Sequence, residues 1–140
     1  MSILVFLTLK QMKHRKTVFP GSFDPFTKGH EYVVHKALDV FDEVIIGIGV
    51  NTSKKYLFDL DKRIAHIQEI FKNNDQVKIN TYEGLTTDFC TKVGAKHIVR
   101  GLRNSIDFEY EKAIAEMNFM MTKVETVFFM SRDQVGAINA

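Results

Sequence analysis

From Lys16 onward, short apolar runs alternate with stretches whose apolar residues recur at helical spacing. "KTVF" is a brief strand pattern. Beyond the loop that follows it, Val33, Val34, Ala37, Leu38 and Phe41 fall three or four residues apart and predict an amphipathic helix. "DEVIIGIGV" (42–50) is a nearly unbroken apolar run, the pattern of a strand covered on both faces. A second helix is predicted over 61–72, with Ile64, Ile67 and Phe71 on one side. "QVKINTY" (76–82) reads as a strand, 86–93 as a short helix ending near Gly94, and "KHIVRG" (96–101) as another strand. Tyr110, Ala113, Ile114, Met117 and Met121 mark the longest helix, and "ETVFFM" (125–130) a fifth strand.

Strand and helix thus alternate throughout. That order predicts an α/β, Rossmann-like parallel sheet of about five strands, with helices on both faces and right-handed crossovers. Ligands of such sheets sit at the carboxyl ends of the strands, near the point where strand order reverses. Three unusual segments, 20–30, 51–56 and 100–104, fall after strands and are expected to meet there. No internal repeat, low-complexity stretch or linker interrupts 16–140, which reads as a single domain.

Composition narrows the picture only a little. The 140 residues are 45% hydrophobic and 26% charged, as in a water-soluble globular chain. A formal net charge of +2 gives no argument for nucleic acid or a membrane surface, yet allows a locally basic pocket for an anion. The single cysteine, Cys90, cannot form an internal disulfide and fits a reducing, cytoplasmic setting. Its mid-helix place suits the core better than a nucleophile. The apolar run 3–9 is too short to span a bilayer. It also lacks the flanks of a signal peptide, so 1–15 reads as an extension, an upstream start or a pairing edge strand.

The candidate chemistry begins in "FPGSFDPFTKGH" (19–30), which holds both prolines of the chain. Gly21 permits close backbone approach, while Pro20 and Pro25 fix their φ angles. Ser22, Asp24 and Thr27 have side chains suited to bonding local backbone or capping a helix. Beyond Gly29 a helix start would turn its N–H groups and positive dipole end toward a phosphate, with His30 as an added donor. The plainer account is a stiff turn with a helix cap. Neither a Walker loop nor a G-x-G-x-x-G fingerprint is present.

"PGSFDPFTKGH" resembles the first signature of the nucleotidyltransferase superfamily with the T/H-x-G-H motif, and more narrowly that of bacterial phosphopantetheine adenylyltransferases. "NTSKKYLF" after the second strand and "RGLRNSIDFEYE" (100–111) after the fourth extend the likeness over about 16–130. The resemblance implies transfer of an adenylyl group from ATP to 4'-phosphopantetheine, giving dephospho-coenzyme A and pyrophosphate without a covalent enzyme intermediate. It implies that His30 binds ATP and stabilises the transition state, and that Lys54, rather than its neighbour Lys55, neutralises the reacting phosphates. Ser22 and Phe23 would hold the phosphates and the adenine side, Ser22 also meeting the substrate. Arg100 would bind phosphopantetheine, and Gly101, Leu102 and Arg103 would bind ATP. Glu111 is implied as an ATP contact and Thr86 as a contact to the pantetheine arm. Alternatively the two arginines pair with Asp107 or Glu109, a structural use. Mg²⁺ is implied by ATP, without any ligand cluster visible in the sequence.

His14, His35, His66 and His97 lack metal-site spacing, and His35 and His66 look like helix-surface residues. The resemblance implies a hexamer. Phe108, Phe119 and Met120, in the aromatic- and methionine-rich "FEYEKAIAEMNFMM", suit a subunit contact, with an ordinary core stripe as the competing account. The likeness departs at the end. Family members continue into a serine-rich signature and a further helix, whereas "SRDQVGAINA" follows the fifth strand here. Ser131 and Arg132 would be the first residues of that segment, and the phosphate cradle is expected to be shortened. Two alternatives follow: a truncated relative that binds nucleotide without turnover, and a nucleotidyltransferase for another substrate.

Overall fold

The computed structural model describes residues 2–5 and 14–131. The expectations for most of 1–15, and for Arg132, lie outside those residues. Over residues 16–130 five strands alternate with four helices. They are β1 (Lys16–Gly21), α1 (Lys28–Leu38), β2 (Glu43–Gly49), α2 (Leu60–Ile70), β3 (Val77–Tyr82), α3 (Thr86–Val93), β4 (His97–Leu102), α4 (Ser105–Thr122) and β5 (Glu125–Met130). All pairings are parallel, in the order β3-β2-β1-β4-β5. The order reverses between β1 and β4.

Alternation along the central strands divides the core between the two faces of the sheet. Phe19, Val44, Ile46 and Ile48 meet Val33, Val34 and Ala37 of α1 and Ile67 of α2. Val18, Ile45 and Ile98 meet Phe89 and Cys90 of α3 on the other face. The unbroken burial of Val44–Ile48 is why that run shows no period of two. Expected boundaries were off by one or two residues: α2 begins at Leu60 and ends at Ile70, with Phe71 as its C-cap. Gly94 stops α3 in the left-handed conformation, φ 78°. Cys90 is fully buried, and burial pushes its thiol up to about 11, far from reactive thiolate.

Arg63, which the sequence does not single out, stands on α2 and is buried at 5% exposure. One expectation needs correction. The long helix α4 has no buried residue along its 18 positions, so the core-stripe account of its apolar residues fails within one chain.

Candidate active site

β1 and β4 share a single registered pair, Val18↔Ile98, whereas β1 runs against β2 over its whole length. Pro20 brings no N–H to the seam, and its carbonyl accepts instead from Arg100 Nη1 at 2.7 Å. The strands therefore part at their carboxyl ends, and a cavity of about 560 Å³ opens at the switch point. Ser22, Phe23, His30, Arg100, Gly101, Arg103 and Glu111 all line it. Residues as far as 89 positions apart in sequence are thus brought together by one topological reversal.

The opening loop is built from backbone constraints. Phe23 takes the left-handed region, φ 50°, yet its ring is buried, so packing holds a conformation that an L-residue rarely adopts. Asp24–Pro25 is cis. Thr27 caps α1 with its side chain, and His30 returns the bond in a capping box. The return is unusual because the acceptor is an imidazole. Thr27 N–H donates to His30 Nδ1 at 2.9 Å. A backbone amide can only donate, so Nδ1 carries the lone pair and the neutral ring holds its proton on Nε2. Phe23 and Phe26, with centroids 5.1 and 5.3 Å away, flank the imidazole and fix its plane. The ring is thereby oriented as an N–H donor beside the α1 N-terminus, where backbone amides already favour an anion.

Both arginines carry carboxylates. Arg100 grips Glu111 side-on, Nε to Oε2 at 3.1 Å and Nη2 to Oε1 at 2.7 Å; Glu109, a candidate in the alternative structural use of the arginines, is not its partner. Arg103 donates to Asp107 Oδ2 at 3.1 Å from its side chain, and its backbone N–H donates to the same oxygen. Those bonds hold the Asp107 carboxyl below the usual carboxylate range. Each guanidinium thus sits in the cavity wall with its charge partly offset; Glu111 and the Pro20 carbonyl fix the plane of Arg100, while Arg103 stays largely exposed.

A second cavity of about 350 Å³ continues past the Arg100–Glu111 pair, which borders both. Its walls are mostly apolar, from Leu85, Ile114, Met117 and Met121. Thr86 lies here rather than in the first cavity and shares a 2.8 Å hydrogen bond with the Tyr82 hydroxyl. Burial raises the Tyr82 pKa, so that hydroxyl remains protonated. A polar cavity and an apolar one meeting at an arginine suit two ligands joined at phosphate.

Two expected residues lie apart. The Leu102 side chain is buried at the end of β4, and its carbonyl accepts from Ser131 N–H at 2.7 Å. Ser131 lines the first cavity. Lys54 is exposed and lines neither cavity, its Nζ lying 5.4 Å from the centre of the Tyr56 ring. Sequence reasoning expected Asp24 to bond local backbone. Its carboxylate instead accepts from Leu57 N–H and, at 2.7 Å, from Phe58 N–H, across more than thirty residues. Arg63 was missed because nothing in "LDKRIAH" separates a buried arginine from a solvated one.

Comparison with known proteins agrees with this geometry. A cytidylyltransferase-like family model matches residues 18–136. A phosphopantetheine adenylyltransferase of Flavobacterium psychrophilum is 49% identical over 126 residues, 90% of this chain and 83% of that protein. One from Leuconostoc citreum is 44% identical over 117 residues, covering 84% and 74% of the two chains. Among solved structures, a bifunctional NMN adenylyltransferase/ADP ribose pyrophosphatase of Francisella tularensis, complexed with AMP and a manganese ion, superposes with a TM-score of 0.62 at 23% identity. This chain spans 37% of that protein. A lipopolysaccharide core biosynthesis protein of Thermoplasma volcanium gives 0.58 at 18% identity and is covered over 97% of its length. Those two establish likeness of fold alone. A family model over most of the chain, and relatives this similar along most of their own length, place the chain in the cytidylyltransferase-like nucleotidyltransferases and, within them, in the phosphopantetheine adenylyltransferase family.

Proposed function

We infer that this chain transfers the adenylyl group of ATP to 4'-phosphopantetheine, yielding dephospho-coenzyme A and pyrophosphate in coenzyme A biosynthesis. A phosphate oxygen of phosphopantetheine attacks the α-phosphorus of ATP in line. A new P–O bond forms as the bond to the departing pyrophosphate breaks, and no protein nucleophile is used. In this reading His30 donates from Nε2 to oxygens that gain charge in the transition state. Ser22 and the Phe23 backbone hold the phosphates and adenine side. Gly101, Leu102 and Arg103 bind ATP, Leu102 through its backbone, and Glu111 contacts ATP from its place against Arg100. Arg100 receives the phosphopantetheine phosphate where the two cavities meet, with Thr86 beside the pantetheine arm. Lys54 neutralises the reacting phosphates, which requires its exposed side chain to turn from Tyr56 toward the cavity.

The observation that carries this reading is the gathering of Ser22, His30, Arg100 and Arg103 around one cavity at the switch point, contiguous with an apolar one. Mg²⁺ is proposed to arrive with ATP and to offset phosphate charge. Its fit is to the nucleotide, because among the described residues no three of His, Cys, Asp or Glu come together. Phosphate oxygens and water would hold it. We also propose a homo-oligomer, hexameric as in the family resemblance, working in the cytoplasm. Among the described residues no helix is long and apolar enough to cross a membrane.

The test is pyrophosphate release from ATP, Mg²⁺ and 4'-phosphopantetheine, measured beside His30→Ala. Loss of one preorganised donor costs about 3 kcal/mol, so turnover should fall a few hundredfold. Folded wild-type protein that binds ATP but releases no pyrophosphate would overturn the proposal.

A further inference from the structure

We propose that Arg63 is a positioning residue that locks the loop carrying Lys54 against the phosphate loop, with Tyr56 as the ring through which it acts on the lysine. The proposal rests on the reading above that Lys54 meets the substrate phosphates. Arg63 stands on α2 and is 5% exposed. No carboxylate pairs with it among the described residues. A buried cation so placed is costly unless its donors are used, and a Leu or Met would fill the same space without that penalty. Its donors serve two separate segments. Nη1 donates to Ser22 O at 2.8 Å, in the phosphate loop, and Nε donates to Phe58 O at 3.0 Å, in the loop after β2. Its carbon Cζ lies 4.2 Å from the Tyr56 ring centre, within cation–π range, and Lys54 Nζ lies over the same ring at 5.4 Å.

The clasp has a second set of bonds. Asp24 of the phosphate loop accepts from Leu57 and Phe58 N–H, so the loop after β2 both gives and receives bonds while the phosphate loop only accepts. On the other flank a tight turn fixes Lys54, whose N–H donates to Asn51 O at 3.1 Å. The lysine backbone is therefore held on both sides, and its side chain alone is left to move. Arg63, sharing Tyr56 with it, disfavours a second cation resting there and favours transfer of the ammonium to an anionic phosphate. A planar fork is needed to reach two carbonyls and stack on a ring at once, which lysine cannot reproduce.

The experiment is a double-mutant cycle of Arg63→Lys with Lys54→Ala, read as the dissociation constant for 4'-phosphopantetheine by calorimetry and as kcat/KM. Binding is measurable in a variant without turnover. A displaced phosphate contact should weaken binding about tenfold when Lys54 is present. In the Lys54→Ala background the same change should cost less than about twofold. Arg63→Met, which keeps the buried volume but neither hydrogen bond, should repeat the pattern and decides the matter if Arg63→Lys does not fold. Additive effects in both cycles, or Lys54→Ala binding phosphopantetheine like wild type, would overturn the positioning role. Wild-type protein without turnover would reject the reaction instead, a result the binding cycle keeps separate.

Discussion

His97 opens β4 with its ring 5.3 Å from that of Phe41 and half-buried beneath it. Burial lowers its pKa, with Arg15 pushing the same way and Glu125 opposing. The unfolded chain, with an ordinary value near 6.5, then binds the proton more readily than the folded one. Stability from this group is full above about pH 6.5 and falls as pH drops below it, toward the lowered folded pKa. Urea midpoints at pH 7 and pH 5 should show a smaller drop for His97→Gln than for wild type; equal drops would exclude the assignment. The same scale divides what the sequence disclosed from what it concealed. His30, Arg100 and Arg103 were legible because each sits in a short motif whose chemistry is local. Arg63 was not, because its burial is set by carbonyls of Ser22 and Phe58, and a helical pattern says nothing about distant carbonyls. Lys54 was legible as a cation, while its resting place over Tyr56 depends on side-chain packing in an exposed loop.

At the level of elements, the function depends on how closely α1 approaches β4. Gly101 makes that approach possible: a Cβ built there would lie 2.9 Å from Val33 Cγ2. Val33 is 2% exposed, β-branched, and three residues past His30 on α1, so it has little room to yield. Gly101→Ala should therefore cost about 1–3 kcal/mol by overpacking and displace the α1 N-terminus from the cavity. The expected result is a lowered denaturation midpoint together with loss of activity in protein that is still folded at room temperature. Unchanged kcat/KM would show that β4 and α1 accommodate the methyl without moving His30. Element type was readable along the chain because the periodic runs were long and the breaks chemically clear. Thr27, Gly94 and the β-branched run of β2 each announce themselves. Boundaries slipped where the end is decided by contact rather than composition, as at Phe71, which stays buried after leaving helical geometry.

On the scale of the molecule, strand order was beyond the sequence, since any right-handed set of crossovers fits the same alternation of elements. The order β3-β2-β1-β4-β5 creates the cavity, so the motifs could be identified before their meeting place could. α4 poses the remaining molecular problem. Its residues include Ile106 at 80% exposure, Met117 at 61% and Met120 at 78%, an apolar face that a single water-soluble chain rarely leaves open. A second copy of the chain is the cover that the proposed homo-oligomer supplies, continuous with the wall of the apolar cavity that Met117 also lines. Because these side chains are exposed within one chain, charging them should spare the fold of the monomer. Met117→Glu with Met120→Glu should keep the wild-type circular dichroism spectrum while sedimentation velocity shifts to a smaller species. A wild-type chain already sedimenting as a monomer would remove the oligomer, and an unshifted double variant would remove α4 from its interface. A shift accompanied by weaker phosphopantetheine binding would mean that assembly and the apolar cavity share one helix, so that substrate affinity depends on protein concentration.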